Sequence, residues 1–343
     1  MKTMQSPLKR RDFIRITAVA ASAAGLAACS ERGLRTDGLS EVRETRLLMG
    51  TLANLTVHTT DAMAGRRAVE TTFDVMQSLE SKLSRSEPAS QLSQLNRTGT
   101  IEVADPALLA VLESSISYSM LTNGAFDITV EPILAQYREA AARSHPPNEI
   151  DVESLLERVD YRYVDIDAYR VQLTGQKMAI TLDGIAKGFV IDEGAKALTS
   201  RGFDQILVEV GGDLITGSPL EDTWQIGIRS SRPGTSELIG TAGLRQQALA
   251  TSGDYLNSFT QDYRLHHILD PRQGVSPVEL SSVSVVGPTA MDADAISTSL
   301  MVLGTEAGLQ LVERLPGVEA LLIEKNQSMH ASSGFPLMGK PAS

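Results

Sequence analysis

Short apolar runs alternate with longer helical patterns in the second half of the chain, and this alternation limits the possible folds more than any other feature. The apolar runs cover residues 178–182, 205–210, 224–228, 248–251, 281–286 and 319–324. Helical patterns cover residues 186–200 and 290–313. Mixed strands and helices indicate an α/β or α+β sheet protein. No repeat of roughly 20–50 residues recurs, which argues against a solenoid or propeller, and we predict a single domain with two lobes.

The first half of the chain carries the same mixture. Residues 51–58 alternate apolar and polar side chains, as a half-buried strand does. A stripe of apolar side chains at spacings of three and four predicts a core helix over residues 62–84, and its members are Val69, Phe73, Met76, Leu79 and Leu83. Asp105-Pro106 and Asn123-Gly124 have the residue types that start and end a second helix. We expect the charged residues 138–160 to form an exposed connection.

The N-terminus has the layout of an export signal. Basic residues between positions 9 and 15, including the pair Arg10-Arg11, precede the apolar stretch 16–28. The arginine pair resembles a twin-arginine signal, and Leu26-Ala-Ala-Cys29 resembles a lipobox. We predict a lipoprotein signal peptide over residues 1–28, lipidation of Cys29 and a tether over residues 29–45. The alternative is an ordinary cleavage site beside a chance cysteine. Cys29 is the only cysteine, so disulfides and cysteine-based metal sites are excluded.

The net negative charge of the chain limits the kinds of ligand that it can bind. The net charge is −11, and residues 1–28 hold five basic and one acidic side chain, so the remainder carries −15. Such a surface repels nucleic acids and anionic lipid headgroups. A small anionic ligand therefore needs a local cation or a metal. The sequence also lacks the G-x-G-x-x-G, H-E-x-x-H and G-x-S-x-G patterns of common nucleotide-binding proteins, zinc proteases and hydrolases.

Glycine-rich turns at the ends of apolar runs are the first candidates for a site. Residues 181–188 lead into a helix, so free backbone N–H groups and Lys187 could meet an anion; the alternative is a plain turn with a solvent-exposed lysine. Residues 210–213, Val-Gly-Gly-Asp, could bring backbone close to a flat ligand. A tight hairpin explains them equally well.

Two further sets of side chains could do chemistry. His267 and Asp270 are suited to act as a base and the group that orients it, although a structural pair is as common. Asp294 and Thr298 fall on one face of a helix and offer hard oxygen atoms to Mg²⁺. The alternative is a purely structural helix start, with Asp292 as its cap and Asp294 near the positive end of the helix dipole.

Taken together and in order, these segments resemble the FAD:protein FMN transferase family, also called the ApbE family. The matching segments are MGT at 49–51, SQLSQLN at 90–96, GAFDIT at 124–129, LDGIAKG at 182–188, VGGD at 210–213, ATSGDY at 250–255, HILDP at 267–271 and ADAIST at 293–298. Each one is weak alone, whereas the ordered set is specific and spans nearly the whole chain after the predicted signal. The resemblance implies a mixed α+β, T-fold-like catalytic domain with two lobes built on mixed sheets, over residues 46–330. Residues 331–343 would form a C-terminal tail.

The resemblance also implies an activity. The enzyme would bind FAD and Mg²⁺ and transfer FMN to a Thr or Ser hydroxyl of an exported flavoprotein, releasing AMP. Acceptors of this family carry the target residue in a motif like Asp-Gly-Ala-Thr. The protein would lie on the periplasmic side of the cell envelope, anchored through Cys29 and more often to the inner membrane, and a homodimer is compatible with the resemblance. The alternatives are an FAD diphosphatase with water as acceptor and a flavin-binding lipoprotein without catalysis.

The same resemblance implies the residues of the site. Those that would bind FAD are Met49, Ser86, Ala125, Phe126, Asp127, Thr181, Asp183, Lys187, His267 and Leu269. Those that would hold Mg²⁺ are Asp294, Thr298 and the backbone carbonyl of Gly184. His267 and Asp294 are both candidates for the catalytic base, and the sequence leaves the choice open. Ser86, Thr181 and Asp183 depart from the family pattern, which has an aromatic, an acidic residue and a glycine there.

Overall fold

The computed structural model describes residues 38–143, 151–232 and 238–338; the predicted signal peptide and Cys29 lie outside them. The strands are β1 (Ser40–Leu48), β2 (Thr51–Thr59), β3 (Thr100–Ile101), β4 (Val164–Asp167), β5 (Arg170–Leu173), β6 (Ile206–Val210), β7 (Asp213–Thr216), β8 (Trp224–Arg229), β9 (Leu238–Leu244), β10 (Ala248–Gly253), β11 (Leu280–Gly287), β12 (Glu319–Glu324), β13 (Met329–Ala331) and β14 (Leu337–Met338). The helices are α1 (Ala62–Leu83), α2 (Gln91–Thr98), α3 (Pro106–Leu121), α4 (Glu131–Ala142), α5 (Val152–Leu156), α6 (Ala186–Thr199) and α7 (Ala290–Val312).

An eight-stranded sheet in the order β1-β2-β6-β7-β10-β11-β12-β13 forms the centre of the fold. Two three-stranded sheets, β14-β9-β8 and β3-β5-β4, accompany it. The expected mixed α/β class is confirmed. Every strand pair among the described residues is antiparallel, so the expectation of mixed sheets is wrong in strand direction. Two-residue turns join β1 to β2 and β6 to β7, and such turns require antiparallel neighbours. The division into two lobes stays a prediction.

The central sheet is covered on both faces. Helices α1, α6 and α7 pack together and contact its strands. On the other face, β8 and β9 contribute to a second apolar cluster that contains Leu214, Trp224 and Leu249. Because of this double cover, the six central residues of β2 are all buried, whereas their alternation predicted a half-buried strand. The polar face of β2 includes His58, whose ring centroid lies 5.7 Å from that of Trp224.

The predicted helices are confirmed, with small differences at their ends. The Asp61 side chain caps α1, and Asp105 caps α3. Asn123 and Gly124 follow α3 with positive φ values of 50° and 75°, in agreement with the predicted helix end. Helix α2 was not predicted, because only its turn-forming Ser90 cap stands out in so short a segment. The expected connection over 138–160 is partly helical, since α4 continues into it and α5 lies within it.

The strands predicted after residue 200 are confirmed. Three other predictions differ from the structure. Residues 178–182 form no regular secondary structure and pair with no described strand, so the strand predicted there is wrong. Strand β1 begins at Ser40, within the predicted tether, because it forms a nine-residue ladder with β2. The predicted tail beyond 330 contains β14, which pairs with β9. Helix α7 is long and apolar enough to span a membrane, but more than half of its most apolar window is buried against the protein, as in a core helix.

Candidate functional site

Helices α6 and α7 are in close contact where each begins, and this contact positions the candidate site. A Cβ atom on Gly188 would lie 2.5 Å from the carbonyl carbon of Ala290 and 2.6 Å from the Met291 Cα atom. Only glycine allows this approach. The Asp192 carboxylate of α6 also accepts hydrogen bonds from the backbone N–H groups of Ala290 (2.7 Å) and Met291 (2.9 Å). The first turn of α7 is therefore fixed against α6.

Thr289, rather than Asp292, is the N-cap of α7. The Thr289 hydroxyl accepts a hydrogen bond from the Asp292 backbone N–H at 3.0 Å and donates one to the Asp292 carboxylate at 2.6 Å. This reciprocal arrangement resembles a capping box, in which the residue at N3 supports the cap. The alternative in which Asp292 is the cap is therefore wrong. Asp294, two residues after Asp292, takes no part in this cap.

Lys187 lies between two buried carboxylates. Its Nζ atom forms a close ion pair with Asp213 Oδ2 and lies 3.8 Å from Asp294 Oδ1. Asp213 Oδ1 accepts a hydrogen bond from the Thr251 backbone N–H at 2.9 Å, and Asp294 Oδ2 accepts one from Gly188 N–H at 3.0 Å. The alternative of a solvent-exposed Lys187 is therefore wrong.

The hairpin alternative for residues 210–213 is correct, and the hairpin also serves the site. Strands β6 and β7 are joined at Val210 and Asp213 by a two-residue glycine turn. This turn brings Asp213, the first residue of β7, into contact with Lys187. The sequence indicated a role for the glycines, whereas the aspartate supplies the contact.

The Lys187 cluster carries more negative than positive charge. Burial raises the pKa of Asp294, while the ammonium group of Lys187 and the hydrogen bond from Gly188 oppose the rise. One lysine cannot neutralise both Asp213 and Asp294. A further cation near these carboxylates would therefore be stabilised by Coulomb attraction.

Two of the three expected metal ligands, Gly184 and Thr298, are in contact, and the third, Asp294, belongs to the Lys187 cluster. A Cβ atom on Gly184 would lie 3.2 Å from Thr298 Oγ1 and 3.4 Å from Phe126 Cε2, so the Gly184 backbone packs directly on the Thr298 side chain. Thr298 follows Asp294 by one helical turn, and its hydroxyl also lies 3.2 Å from Ser252 Oγ. A carboxylate, a hydroxyl and a carbonyl are hard oxygen donors that fit Mg²⁺, which commonly keeps several waters. No group of three or more His, Cys, Asp or Glu side chains suited to a metal occurs in the described ranges.

His267 does not pair with Asp270. Asp270 instead accepts hydrogen bonds from Arg272, with Nε at 2.8 Å and Nη2 at 2.8 Å, because Arg272 lies two residues further along the same turn. The His267 Nδ1 atom is buried, and the Asn257 backbone lies within hydrogen-bonding reach of the ring. Burial lowers the pKa of His267 to about 4, against the opposing charge of Asp183. The ring is therefore neutral at pH 7 and can accept a proton.

The other residues expected at the FAD site lie in three turns. Met49 occupies the β1–β2 turn with a φ of 52°, and its backbone N–H donates to Glu80 Oε1 at 2.8 Å. Ser86 is exposed in the turn after α1. Ala125 and Phe126 are buried, and Phe126 reaches Gly184 as described above. Of these, the structure brings Phe126 directly to the candidate metal ligands.

Three more of the expected FAD residues have structural contacts. The Asp127 carboxylate accepts hydrogen bonds from the backbone N–H (2.8 Å) and hydroxyl (2.6 Å) of Thr129 and from the backbone N–H of Tyr161 (2.9 Å). Leu269 is buried in a small apolar cluster with α4 and α5. Thr181 is buried, and its hydroxyl accepts a hydrogen bond from Asp183 N–H at 3.2 Å. These contacts fix the turns that carry the three residues.

Two residues of the site were not expected from the sequence. Asp213 lies within a motif that was noted for its glycines, and its contact with Lys187 is described above. Arg85 forms an ion pair with Asp183, with Nε 2.7 Å from Oδ2. No spacing pattern could have revealed this pair, because its members are 98 residues apart.

Comparison with known proteins gives consistent matches. A family model described as the ApbE family matches residues 49–322. An FAD:protein FMN transferase from Treponema pallidum (strain Nichols) is 31% identical over 323 residues, covering 87% of this chain and 89% of that protein. Another from Klebsiella pneumoniae (strain 342) is 28% identical over 295 residues, covering 84% of this chain and 90% of that protein.

Solved structures agree with these relatives. The crystal structure of the ApbE protein from Thermotoga maritima has a TM-score of 0.75 at 26% identity and covers 86% of this chain and 97% of that chain. The flavin transferase ApbE from Vibrio cholerae has a TM-score of 0.75 at 26% identity and covers 88% of this chain and 100% of that chain. The similarity thus extends over most of the chain in both sequence and fold.

Proposed function

This chain belongs to the ApbE family, and we propose that it transfers the FMN part of FAD to a Thr or Ser hydroxyl of an exported flavoprotein in a Mg²⁺-dependent reaction that releases AMP. Its relatives are named FAD:protein FMN transferase, and the similarity to this chain covers most of their length. The observation that carries the proposal is the cluster of Lys187, Asp213 and Asp294 beside Gly184 and Thr298. It combines a cation for phosphate with oxygen ligands for a metal in an otherwise acidic protein.

The reaction replaces the phosphoanhydride bond of the FAD diphosphate with a phosphoester bond to the acceptor. The acceptor hydroxyl oxygen attacks the phosphorus atom of the FMN half, a new P–O bond forms, and the bond from that phosphorus to the bridging oxygen breaks. AMP leaves with the bridging oxygen, and the hydroxyl proton passes to a base. Such a transfer depends mainly on positioning and on neutralising phosphate charge.

Lys187 supplies one of the required positive charges. Its two carboxylate partners hold the ammonium group at the start of α6, and its side chain is 24% exposed, so one side of it can face a phosphate. The hydrogen bond that Asp294 accepts from Gly188 fixes the carboxylate between the two helices. The residues therefore hold their geometry before substrate arrives, which is how electrostatic stabilisation lowers a barrier.

Asp294, Thr298 and the Gly184 carbonyl would hold the metal. Mg²⁺ bound there would neutralise charge on the diphosphate and polarise its P–O bonds. The excess of carboxylates over lysine in the cluster and the packing of Gly184 on Thr298 both support this assignment.

His267 is the better of the two candidates for the base. Its pKa of about 4 leaves the ring neutral at pH 7, and the ring lies close enough to Asp183 and Lys187 for their charges to act on it. Asp294, in contrast, accepts a hydrogen bond from Gly188 and faces Lys187, and it is also needed as a metal ligand. We therefore assign proton acceptance from the acceptor hydroxyl to His267.

The site of action follows from the N-terminal residues. We propose export by a twin-arginine-type signal over residues 1–28, lipidation of Cys29 and anchoring on the periplasmic side of the inner membrane. The basic residues, the apolar stretch and the single cysteine of the printed sequence support this. Replacing Cys29 by serine should move the protein from the membrane fraction to the soluble periplasmic fraction, and retention in the membrane would contradict lipid anchoring.

The activity can be tested with the chain from Cys29 onward carrying Cys29→Ser. It is incubated with FAD, Mg²⁺ and a small domain that bears an Asp-Gly-Ala-Thr motif, and the domain is measured by intact-mass spectrometry while AMP is followed by chromatography. We expect an FMN phosphoester on the threonine, AMP in equal amount, and loss of both with EDTA. Light scattering of the same sample would measure whether a homodimer forms.

A matched acceptor with alanine in place of the target threonine serves as the control. It should remain unmodified, and a mass shift on it would place the attachment elsewhere. Free FMN and AMP without an adduct on any tested acceptor would identify a diphosphatase, with water as the nucleophile. Bound FAD without AMP release would identify a flavin-binding protein instead of an enzyme.

A further inference from the structure

A second positive side chain lies at the edge of the candidate site. Arg85, in the turn after α1, forms an ion pair with Asp183, and the two side chains are 31% and 45% exposed. Its Nε atom donates to Asp183 Oδ2 at 2.7 Å. Within the described residues, neither terminal nitrogen of Arg85 has a hydrogen-bond partner. The part of the guanidinium group that best binds phosphate oxygens is therefore free.

The partner of Arg85 belongs to the centre of the site. Asp183 immediately precedes Gly184, whose backbone packs on Thr298. The charge of Asp183 raises the pKa of Asp294 and opposes the lowering of the pKa of His267, so it is electrostatically close to both groups. Arg85 is thus held next to the segment that carries the proposed metal ligand.

The turn that carries Arg85 is held in place by its own hydrogen bonds. The Ser93 hydroxyl donates to the Arg85 carbonyl oxygen at 3.1 Å, and the Ser90 hydroxyl donates to the Ser84 carbonyl oxygen at 2.7 Å. Glu131 lies nearby as a second carboxylate. A guanidinium group on a fixed backbone can change partners by a side-chain rotation alone.

The charges at the site favour such a change of partner. Lys187 already faces two carboxylates, so its single positive charge cannot balance both of them and an arriving diphosphate. Arg85 faces the exposed Asp183 through a single hydrogen bond, and surface ion pairs of this kind contribute little net free energy. An arriving diphosphate offers several anionic oxygens, which match the paired N–H groups of arginine better than one carboxylate oxygen does.

We propose that Arg85 is a substrate-binding residue that exchanges Asp183 for a phosphate group of the incoming dinucleotide. Asp183 holds the guanidinium group at the edge of the site until the substrate takes it over. This inference rests on the proposed function, because it assumes a diphosphate substrate in the Lys187 cluster. It makes Arg85 a determinant of substrate affinity and leaves the chemistry to the groups described above.

Equilibrium binding separates this role from a structural one. The Cys29→Ser chain and its Arg85→Ala and Asp183→Asn variants are titrated with FAD and with riboflavin in EDTA, and flavin fluorescence is recorded. We expect Arg85→Ala to weaken FAD binding by about 10-fold to 100-fold, as for loss of a hydrogen bond between charged groups. Riboflavin has no phosphate, so its binding should change by less than about threefold. Asp183→Asn should strengthen FAD binding, because it frees Arg85 from its competitor and removes a negative charge beside the diphosphate.

Arg162→Ala provides the matched control. Arg162 also pairs with an aspartate, with Nη2 2.7 Å from Asp160 Oδ2, but it is 75% exposed outside the site. Its removal should leave FAD binding within about twofold. Equal weakening of FAD and riboflavin binding by Arg85→Ala would overturn the inference. Equal weakening of FAD binding by Arg85→Ala and by Asp183→Asn would also overturn it, because it would show that the ion pair only stabilises the local structure. Binding in EDTA requires no turnover. A parent protein that binds FAD but transfers no FMN would therefore contradict the proposed function, while the comparison of FAD binding between parent and variants would still test the role of Arg85.

Discussion

The close approach of α6 to α7 makes Gly188 a sensitive test of the proposed site. In Gly188→Ala the new Cβ atom would meet the Ala290 carbonyl carbon at 2.5 Å and the Met291 Cα atom at 2.6 Å. Both are backbone atoms in a fixed first helical turn, so neither can move aside by changing a rotamer. The two helix starts must separate by about 1 Å before ordinary contact distances are restored.

The size of the effect follows from two opposing contributions. Overpacking against a rigid neighbour costs about 1–3 kcal/mol, occasionally more, while alanine in a helix is favoured over glycine by up to about 1 kcal/mol. We expect a net loss of about 2 kcal/mol in the free energy of unfolding, which for a chain of this length is a decrease of about 3 °C in Tm. Separation of the helices also lengthens the hydrogen bond from Gly188 N–H to Asp294. A displacement of this size can lower the turnover rate by about 100-fold.

Gly194→Ala is the control on the same helix. Its Cβ atom would meet Met76 Sδ at 2.9 Å, and a thioether at the end of a flexible side chain can move away. Its unfolding free energy should stay within about 1 kcal/mol of the parent, with AMP release unchanged.

Urea unfolding measures both variants through Trp224, the only tryptophan, which is buried in β8. A Gly188→Ala protein within about 0.5 kcal/mol of the parent, and with normal AMP release, would refute the reasoning.

Three further perturbations test the charges around the site. Asp294→Asn should keep the hydrogen bond from Gly188, and its free energy of unfolding should stay within about 1 kcal/mol of the parent. Its rate of AMP release should fall at least about 100-fold, because a metal ligand is neutralised. Normal release at saturating Mg²⁺ would exclude Asp294 as a ligand. Lys187→Met leaves Asp213 and Asp294 without their cation and should lower the free energy of unfolding by about 3–5 kcal/mol. Mg²⁺ should stabilise this variant more than it stabilises the parent. An equal effect of Mg²⁺ on the urea midpoints of both proteins would count against a metal there. Burial lowers the folded-state pKa of His266 from 6.5 to about 4, so the unfolded chain binds the extra proton as pH falls through this window. Stability should therefore fall by about 2 kcal/mol from pH 7 to pH 5, and His266→Gln, compared over the same pH range by urea unfolding, should lose that part of the pH dependence; an unchanged slope would show that His266 does not cause it.

Local pattern predicted the secondary structure well where burial and periodicity agree. Helices α1, α6 and α7 and strand β12 lie where their apolar spacing placed them. The prediction of a strand over 178–182 is wrong, because these apolar residues are buried but have no neighbouring strand with which to form a ladder. Periodicity reports that a segment is buried, and it does not report what the backbone hydrogen bonds to.

The candidate site shows the same limit at the level of side chains. The ordered motifs identified Lys187, Asp294 and Thr298 as members of one site, and the structure brings them together. The proposed pair of His267 with Asp270 is not formed, because Arg272 is nearer along the chain and matches the carboxylate with two nitrogens. Spacing along a turn did not distinguish between these two partners.

The sequence by itself determined the fold class, the order of the motifs and the family to which the chain belongs. These depend on short-range features, namely apolar spacing, turn residues and fixed local motifs, which can be seen without knowing the path of the chain. Only the tertiary structure decided that Asp213 pairs with Lys187 and that Arg85 reaches Asp183. Both contacts join segments that are distant in sequence, and their distances are set by the packing of helices and strands between them.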